Sequence, residues 1–268
     1  MIPRDGSRKV QKALSIPFDG VLDADLQFIN AFEQDDGILV VDAIRLKEHE
    51  TMKGPLPSWP WASSLDAFQR NTCQRSLVRY RVAKDVVSKE ILFKSQCYFG
   101  GINPALSSQR HRYIYMAIGS MEDQVAPPQG IARFDTETKE VESWMPQAHE
   151  FCGEPMYAKS QTSTDNVDDG GYLLSVLFNG TSSDLVVLRA NNVAAGPIAR
   201  VPLGLAVPHG LYGCYTDEGE FSFEEIDRRA KLADKMESRG NMWNEVKSDF
   251  SGLGLRLDDF EEYFGDMM

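Results

Sequence analysis

Histidine and cysteine are the side chains best suited to hold a metal ion or act as a nucleophile, and here they are few and widely spaced. The chain has four histidines, none at H-x-H or H-x-x-x-H spacing: His49, His111, His149 and His209. It has four cysteines, none in a C-x-x-C pair: Cys73, Cys97, Cys152 and Cys214. This spacing argues against an independent zinc site and predicts reduced, partly buried thiols rather than a disulfide framework.

The overall composition narrows the class of protein further. The 268 residues carry a formal net charge of −12, which argues against nucleic-acid binding because phosphate contacts need clustered Lys and Arg. No run reaches the roughly 18 to 20 apolar residues that a membrane helix needs, and the basic N-terminus lacks the apolar segment of a signal peptide. We therefore expect a soluble protein of a reducing compartment, without a transmembrane segment.

Short strands at hairpin spacing dominate the first 215 residues. Alternating or β-branched runs predict eight strands, at residues 37–46, 76–82, 86–93, 111–118, 131–135, 140–144, 172–178 and 185–189. Asn179-Gly180 is a strong hairpin signal because both residues tolerate a positive φ. Since no helical pattern intervenes, this region is predicted to be all-β: a sandwich, a barrel or a propeller.

The charge distribution places a domain boundary near Tyr215. Residues 216–268 hold 15 acidic and 7 basic side chains, and so carry −8 of the −12. Ser222 and Glu225 form a capping box, and apolar residues at 223, 226, 230 and 233 make one helical face. We expect two domains, 1–215 and 216–268. The second is an acidic helical extension that either packs on its own domain or docks a protein partner.

Three groups of motifs follow one another along residues 1–215. In chain order they are LQFINAFE and GILVVDAIRL (26–33, 37–46); LVRYR, YFGGINP and RHRYIY (77–81, 98–104, 110–115); and GEPMY, DDGGYLLSVLFN and VPHGLYGCY (153–157, 168–179, 207–215). They resemble F-H-x-x-N-A-x-E, then E-F-P-x-I-N-P with R-H-R-Y-x-Y, then G-E-P-x-F, D-D-G-Y-L-L-S and V-P-Y-G-F-H-G. These are motifs of the carotenoid cleavage oxygenases, and their order and spacing carry the resemblance.

The resemblance implies a seven-bladed β-propeller with an iron ion on its axis. In that family four histidines hold Fe(II), and three glutamates hydrogen-bond to three of them. The iron binds O₂ beside a polyene, and one double bond is split into two carbonyls. This chain would supply the C-terminal part, about four blades at 40 to 50 residues each. In the family, loops on one face build an apolar tunnel for the polyene; the Trp59–Trp61 loop either contributes to such a tunnel or packs on the body.

The departures from the family pattern fall on the iron site. The family's third histidine corresponds to Gln27 and its fourth to Tyr212, and the glutamate of E-F-P-x-I-N corresponds to Tyr98. Of the glutamates only that of G-E-P-x-F is kept, as Glu154. The other two histidines lie upstream of the matched part. A four-imidazole ferrous site cannot be built from these residues, so no catalytic residue is assigned. We expect Gln27, Tyr98, Glu154 and Tyr212 to face a common centre.

His209 is the candidate metal ligand near that centre. It stands where the family has the tyrosine of V-P-Y-G-F-H-G, as though it had exchanged places with Tyr212. Positions three apart point to opposite faces of a strand, so His209 replaces the missing ligand only if the backbone bends there. The alternative is a histidine packed or hydrogen-bonded near the hub of the propeller.

Three functions therefore stay open. The first is a carotenoid oxygenase-like protein, for which the family implies Fe(II)- and O₂-dependent cleavage of a polyene double bond, in a plastid or the cytoplasm. The second is a non-catalytic propeller fragment that binds a carotenoid, another apolar ligand or a protein partner. The third is a truncated gene product without independent function, since an unclosed propeller exposes edge strands. The missing iron ligands predict that this chain alone is inactive.

Overall fold

A computed structural model describes residues 26–46, 69, 74–83, 86–121, 124–160, 168–207, 213 and 215. The chain divides into two units, Met1–Tyr215 and Thr216–Met268, and all the described residues belong to the first. The acidic helical extension, the Trp59–Trp61 loop, His209 and Tyr212 lie outside the described residues. What the sequence predicts for them stays a prediction.

Sheet A is a four-stranded antiparallel sheet in which strand order follows chain order. Its strands are β1 (Gln27–Glu33), β2 (Leu39–Leu46), β3 (Arg75–Ala83) and β4 (Val86–Phe93). Successive side chains of a strand point to opposite faces, and the consecutive residues Asp42, Ala43 and Ile44 are all buried, so both faces of β2 are covered. The ladder between β1 and β2 slips at Phe28 and Asn30, which is the signature of a bulge.

Sheet B has the same antiparallel order. Its strands are β5 (Cys97–Gly101), β6 (Tyr113–Gly119), β7 (Pro128–Asp135) and β8 (Val141–Trp144). A 3₁₀ turn, Pro104–Leu106, follows β5, and Asn103 Oδ1 caps it by accepting the Ala105 N–H at 3.1 Å. The β7–β8 turn closes around Asp135 Oδ1, which accepts from the N–H groups of Glu137 and Thr138. Such a side-chain cap is why Asp favours tight turns.

Sheet C is built in the same way, with one short extra strand. It contains β9 (Phe151–Cys152), β10 (Met156–Ala158), β11 (Tyr172–Phe178), β12 (Ser183–Arg189) and β13 (Pro197–Pro202). The order is β10-β11-β12-β13, and β9 pairs with the far end of β11. A second 3₁₀ turn, Val193–Ala195, joins β12 to β13.

Sheet B lies between the other two and shares a buried apolar cluster with each. The cluster with sheet A contains Ile44, Leu77, Cys97, Ile102, Ile114, Met116, Ile118, Ala132 and Phe134. The cluster with sheet C contains Tyr115, Ile131, Cys152, Tyr157, Leu173, Leu177, Val186, Leu188, Ala190 and Val193. Because side chains alternate along β6, Ile114 and Met116 pack toward sheet A while Tyr115 packs toward sheet C. Antiparallel sheets stacked in chain order are the arrangement expected of consecutive propeller blades.

The all-β prediction is confirmed. Within the described ranges, helical structure is limited to the two 3₁₀ turns and a single position, Gln69. The predicted hairpins appear as β3–β4, β7–β8 and β11–β12. The sequence had not predicted β1, β5, β9, β10 or β13 as strands. The described residues form three sheets, and the expectation of about four blades stays a prediction.

The hairpin turn predicted at Asn179-Gly180 is present, as a loop of four residues between β11 and β12. The β11–β12 ladder closes at Phe178 and Ser183, so the loop has four residues, and only Gly180 has a positive φ (97°). The reason is the Asn179 side chain, whose Oδ1 accepts the N–H groups of Thr181 and Ser182 at 3.1 and 2.9 Å. This Asx turn lets the loop reverse without placing Asn179 in the left-handed region.

A buried carboxylate, Asp42, joins sheet A to sheet B. Its two oxygens accept from Arg79 Nε and Nη2, both at 2.7 Å, and His111 Nε2 lies 3.0 Å from Oδ2. Asn30 Nδ2 donates to the Gln109 carbonyl at 2.9 Å and lies 2.9 Å from His111 Nδ1. Because that amide nitrogen is a donor, the hydrogen-bond network assigns Nδ1 as the acceptor and Nε2 as the protonated nitrogen.

Replacement of Asp42 should therefore be among the most destabilising changes in the described part of the chain. We expect Asp42→Asn to lower the free energy of unfolding by about 3–5 kcal/mol, because it leaves the Arg79 guanidinium buried without its counter-charge. Urea unfolding at neutral pH measures this. Asp36→Asn is the control: Asp36 is exposed and should cost about 0.5 kcal/mol or less. Equal losses in the two variants would show that the network is not a stabilising feature.

The same network predicts how stability depends on pH. Burial opposes ionisation of Asp42, but the hydrogen bonds from Arg79 and His111 and the charge of Arg79 outweigh it and hold the pKa below its ordinary value of 3.8. The stability that Asp42 contributes is therefore complete above about pH 4 and is lost as the pH falls through the folded-state pKa. Thermal melts of the native protein should fall more steeply below pH 4 than those of Asp42→Asn.

Candidate functional site at the first strands

The three described residues of the expected iron-site set lie at equivalent places in consecutive sheets. Gln27 begins β1, Tyr98 is the second residue of β5, and Glu154 stands two residues before β10. Each of these strands is the first at the edge of its sheet; we call β1, β5 and β10 the first strands. The assignment of Gln27, Tyr98 and Glu154 to the family's iron site stays a prediction. Their convergence with Tyr212 on one centre stays a prediction.

Gln27 is buried and is already hydrogen-bonded across two sheets. Its Oε1 accepts the backbone N–H of Phe99 on β5 at 2.9 Å. Phe99 lies in a bulge, because Tyr98 pairs with Ala117 while Gly101 pairs with Tyr115. The φ of Phe99 is 52°, a conformation that costs a bulky L-residue about 1–3 kcal/mol. The Gln27 amide therefore satisfies a backbone donor at a strained point of β5.

Ile29 makes the second contact between these first strands. A Cβ on Gly100 would lie 2.4 Å from Ile29 Cδ1 and 2.7 Å from Ile29 Cγ1. Only glycine leaves room for the isoleucine side chain to pack on the β5 backbone. Gln27 and Ile29 thus join β1 to β5 by one hydrogen bond and one close packing contact.

Tyr98 has its hydroxyl fully engaged. The residue is 1% exposed; its hydroxyl donates to the Ala126 carbonyl at 2.7 Å and accepts from Gln96 Nε2 at 2.6 Å. Gln96 Oε1 accepts the Arg75 N–H at 2.8 Å, and the Arg75 guanidinium lies 5.0 Å from the centre of the tyrosine ring. Burial raises the pKa of Tyr98 to about 12, so the phenol is protonated at neutral pH.

Glu154 contacts the backbone near the end of the described residues. Its Oε2 accepts the backbone N–H of Gly213, the residue directly after Tyr212. Burial raises the pKa of Glu154 above its ordinary value of 4.5, and the hydrogen bond from Gly213 opposes that shift in part. The carboxylate thus holds the backbone N–H of Gly213.

The donor atoms at the first strands do not fit a four-imidazole iron site. The Gln27 oxygen already accepts a hydrogen bond and is a neutral amide, and Tyr98 is a protonated phenol with both roles filled. His111 is held by Asp42 and Asn30, and His149 is exposed in the loop before β9. Among the residues that the structure describes, no three His, Cys, Asp or Glu side chains are grouped to hold a metal. Ferrous oxygenase sites need more imidazole or carboxylate ligands than this.

Sequence reasoning missed the partners of Gln27 and Tyr98. Phe99, Gln96 and Arg75 carry the hydrogen bonds and ring contact described above, and Asn30 orients His111. Asn30 belongs to the quoted motif LQFINAFE, so it could have been singled out. The partnership of Gln96 with Tyr98 leaves no signal in residue type or spacing.

Comparison with known proteins identifies the family. Residues 1–217 match the family described as retinal pigment epithelial membrane protein. The chain belongs to the carotenoid cleavage oxygenase family. The apocarotenoid-15,15'-oxygenase of Synechocystis is 29% identical over 224 residues, which cover 80% of this chain and 42% of that protein. The zeaxanthin 7,8(7',8')-cleavage dioxygenase of Crocus sativus is 27% identical over 201 residues, covering 72% of this chain and 50% of that protein.

Solved carotenoid oxygenase structures share the fold. A mutant of the Synechocystis apocarotenoid oxygenase aligns with a TM-score of 0.68 at 25% identity, over 80% of this chain and 43% of that chain. The cobalt-substituted form of the same oxygenase gives 0.60 at 26% identity, over 71% and 39%. The chain thus spans about half the length of these relatives, or slightly less. None of the described helical segments has the length and apolar character to cross a bilayer.

The Ile29–Gly100 contact yields a matched pair of variants. We expect Gly100→Ala to lower the free energy of unfolding by about 1–3 kcal/mol, because the new methyl group must displace Ile29. In Gly101→Ala the added Cβ meets no atom within 4 Å, so its effect should stay within about 1 kcal/mol. Chemical unfolding of both variants makes the comparison. If the two cost the same, the contact between β1 and β5 is not tight.

Glu154 yields a pH-dependent prediction. A raised carboxyl pKa means that its stabilising effect is complete below pH 4.5 and is lost as the pH rises through the folded-state pKa. We expect Glu154→Gln, which keeps an oxygen acceptor for Gly213, to be as stable as the native chain or more so at pH 8, with a smaller difference at pH 4. Glu154→Leu, which has no acceptor, should be less stable than Glu154→Gln at both pH values. Thermal melts between pH 4 and pH 8 test this prediction. A stability difference between the native chain and Glu154→Gln that does not change with pH would contradict the raised pKa of Glu154.

Proposed function

We propose that this chain is a carotenoid oxygenase-type propeller segment that binds a carotenoid or another apolar polyene. We also propose that it does not assemble the family's four-imidazole iron site from its own residues. The observation that carries the second part is the engagement of Gln27 Oε1 by the Phe99 N–H and of the Tyr98 hydroxyl by Ala126 and Gln96. A side chain already held by a buried protein partner is a poor candidate for a metal bond.

The substrate class follows from the relatives. Their names give apocarotenoids and zeaxanthin as the molecules cleaved, and the family reaction is Fe(II)- and O₂-dependent cleavage of a polyene double bond. Phe28, next to Gln27 on the same first strand, is 68% exposed. An exposed aromatic side chain beside the family's ligand position supports contact with an apolar ligand or with a further part of a propeller.

The chain's own residues have structural roles in this proposal. Gln27 and Ile29 join two sheets, Tyr98 fills the position of a glutamate that would orient a ligand, and Glu154 fixes Gly213. No oxygen-dependent step is assigned to them, because the residues do not fit the metal. His209 is the remaining candidate ligand. It would need ligands from elsewhere, since one histidine with Glu154 falls short of the two-histidine, one-carboxylate sets of other ferrous oxygenases.

A protein partner is a second candidate function. Residues 216–268 carry −8 of the net charge of −12, which supports docking to a basic surface. This role is compatible with polyene binding by residues 1–215.

Iron content and carotenoid retention test the proposal together. The purified chain is loaded anaerobically with ferrous iron, passed over a desalting column and analysed for metal. It is then incubated in air with an apocarotenoid, the class of molecule in the name of the Synechocystis oxygenase. We expect far less than one iron per chain and no cleavage product by chromatography, but visible carotenoid absorbance that elutes with the protein. The Synechocystis oxygenase, treated identically, is the positive control.

The iron content, the carotenoid retention and the cleavage assay can each contradict the proposal independently. About one iron per chain, lost in His209→Ala, would show that the exchanged histidine works and that the site was wrongly judged incomplete. Carotenoid that elutes apart from the protein would contradict polyene binding. Cleavage product from the chain alone would overturn the non-catalytic assignment.

A further inference from the structure

We infer that Gln27 is a positioning residue that ties the first strands of sheets A and B together without a metal, so that a hydrogen bond stands where the family has a ligand bond. This rests on the proposed absence of iron at Gln27, and it adds a role for the side chain that replaces the ligand. In this role the Gln27 side chain stabilises the bulge in β5.

The Phe99 N–H is the group that requires Gln27. The β5–β6 ladder pairs Tyr98 and then Gly101 but omits the residues between them, so the Phe99 N–H needs an acceptor outside that ladder. Phe99 is 3% exposed, and water is not freely available to it. The Gln27 Oε1, 2.9 Å away, accepts its hydrogen. A buried N–H left without an acceptor is costly, so the bulge depends on this amide.

Both sides of the bulge are fixed by different sheet elements. On the Tyr98 side, the hydroxyl is held by Gln96 and the Ala126 carbonyl. On the Phe99 side, the backbone is held by Gln27. Consecutive residues of β5 are thus held by different segments, and this is consistent with the positive φ of Phe99, since such a conformation persists only when its surroundings enforce it.

The two substitutions at the iron-site positions are therefore complementary. In the family a glutamate at the position of Tyr98 would accept from a ligand imidazole. Here the Tyr98 phenol and the Gln27 amide are hydrogen-bonded to protein groups and do not need a metal ion as a partner. The polar groups that replaced the ligand and the carboxylate are satisfied within 3 Å by protein atoms. A metal ion is not needed to complete this junction.

The test uses variants of Gln27 that differ in the acceptor. Gln27→Met has similar length but cannot accept the Phe99 N–H, whereas Gln27→Glu keeps a side-chain oxygen. Amide hydrogen exchange at Phe99 is measured by NMR or by mass spectrometry of a peptide that contains it. Amides of the β11–β12 ladder in sheet C serve as the internal reference. Thermal midpoints are recorded for each protein with Co(II) and with EDTA.

We expect exchange at Phe99 to be at least about tenfold faster in Gln27→Met, corresponding to the loss of about one hydrogen bond, with the sheet C amides unchanged. Gln27→Glu should restore most of the protection, which a mere change of packing volume would not do. Co(II) and EDTA should leave the midpoints of all three proteins unchanged. If Gln27→Met does not fold, Gln27→Asn, whose amide is one methylene too short to reach, gives the same comparison.

Two results would overturn the inference. The first is unchanged Phe99 exchange in Gln27→Met. The second is a midpoint that Co(II) raises in the native chain but not in Gln27→Met, which would make Gln27 a metal ligand. Neither readout involves a polyene, so failure of carotenoid binding would leave this test intact, and failure here would leave carotenoid binding unaffected.

Discussion

The buried carboxylate of Asp42 is the constraint on which the described structure depends. Placing a charge in an apolar interior is unfavourable unless its partners are complete, and Asp42 meets that condition with Arg79 on β3 and His111 just before β6. Arg79 pairs with Asp42 within sheet A, and His111 adds the contact to sheet B, so a shift between the two sheets would break the contact between His111 and the buried carboxylate. Asn30 extends the same network to β1 and to the Ser108–Gln109 backbone.

This fixed relation between sheets A and B is what allows the finer contacts at the first strands. A hydrogen bond of 2.9 Å between Gln27 and Phe99, and van der Waals contact between Ile29 and Gly100, tolerate displacements of only a few tenths of an ångström. The fold that this chain shares with its family brings β1 and β5 together, and the polar network of Asp42 holds sheets A and B in a fixed relation. The contacts of Gln27 and Ile29 with β5 therefore depend on the polar network between the two sheets.

The sequence predicts features that depend on neighbouring residues better than features that depend on contacts between distant segments. Alternation within β3, β4, β11 and β12 is local, so these hairpins could be read directly. The motif resemblance assigned Gln27, Tyr98 and Glu154 to one site, and that assignment stays a prediction. The short strand β5, with its two glycines, has weak strand propensity and was missed. The pairing of Asp42 with His111 and the positive φ of Phe99 arise from contacts between distant segments, which composition and spacing do not encode.

The edge strand of sheet C, β13, has features that disfavour the addition of another strand. β13 is solvent-exposed along nearly its whole length, with Ile198 and Val201 about half exposed, and it would ordinarily be a template for another chain. It begins and ends with proline, which has no N–H to donate, and its central Arg200 carries a charge paired with Glu150 and Asp184. Prolines and charges on edge strands disfavour strand addition. The strand that completes sheet C therefore also reduces the tendency of the protein to aggregate through that edge.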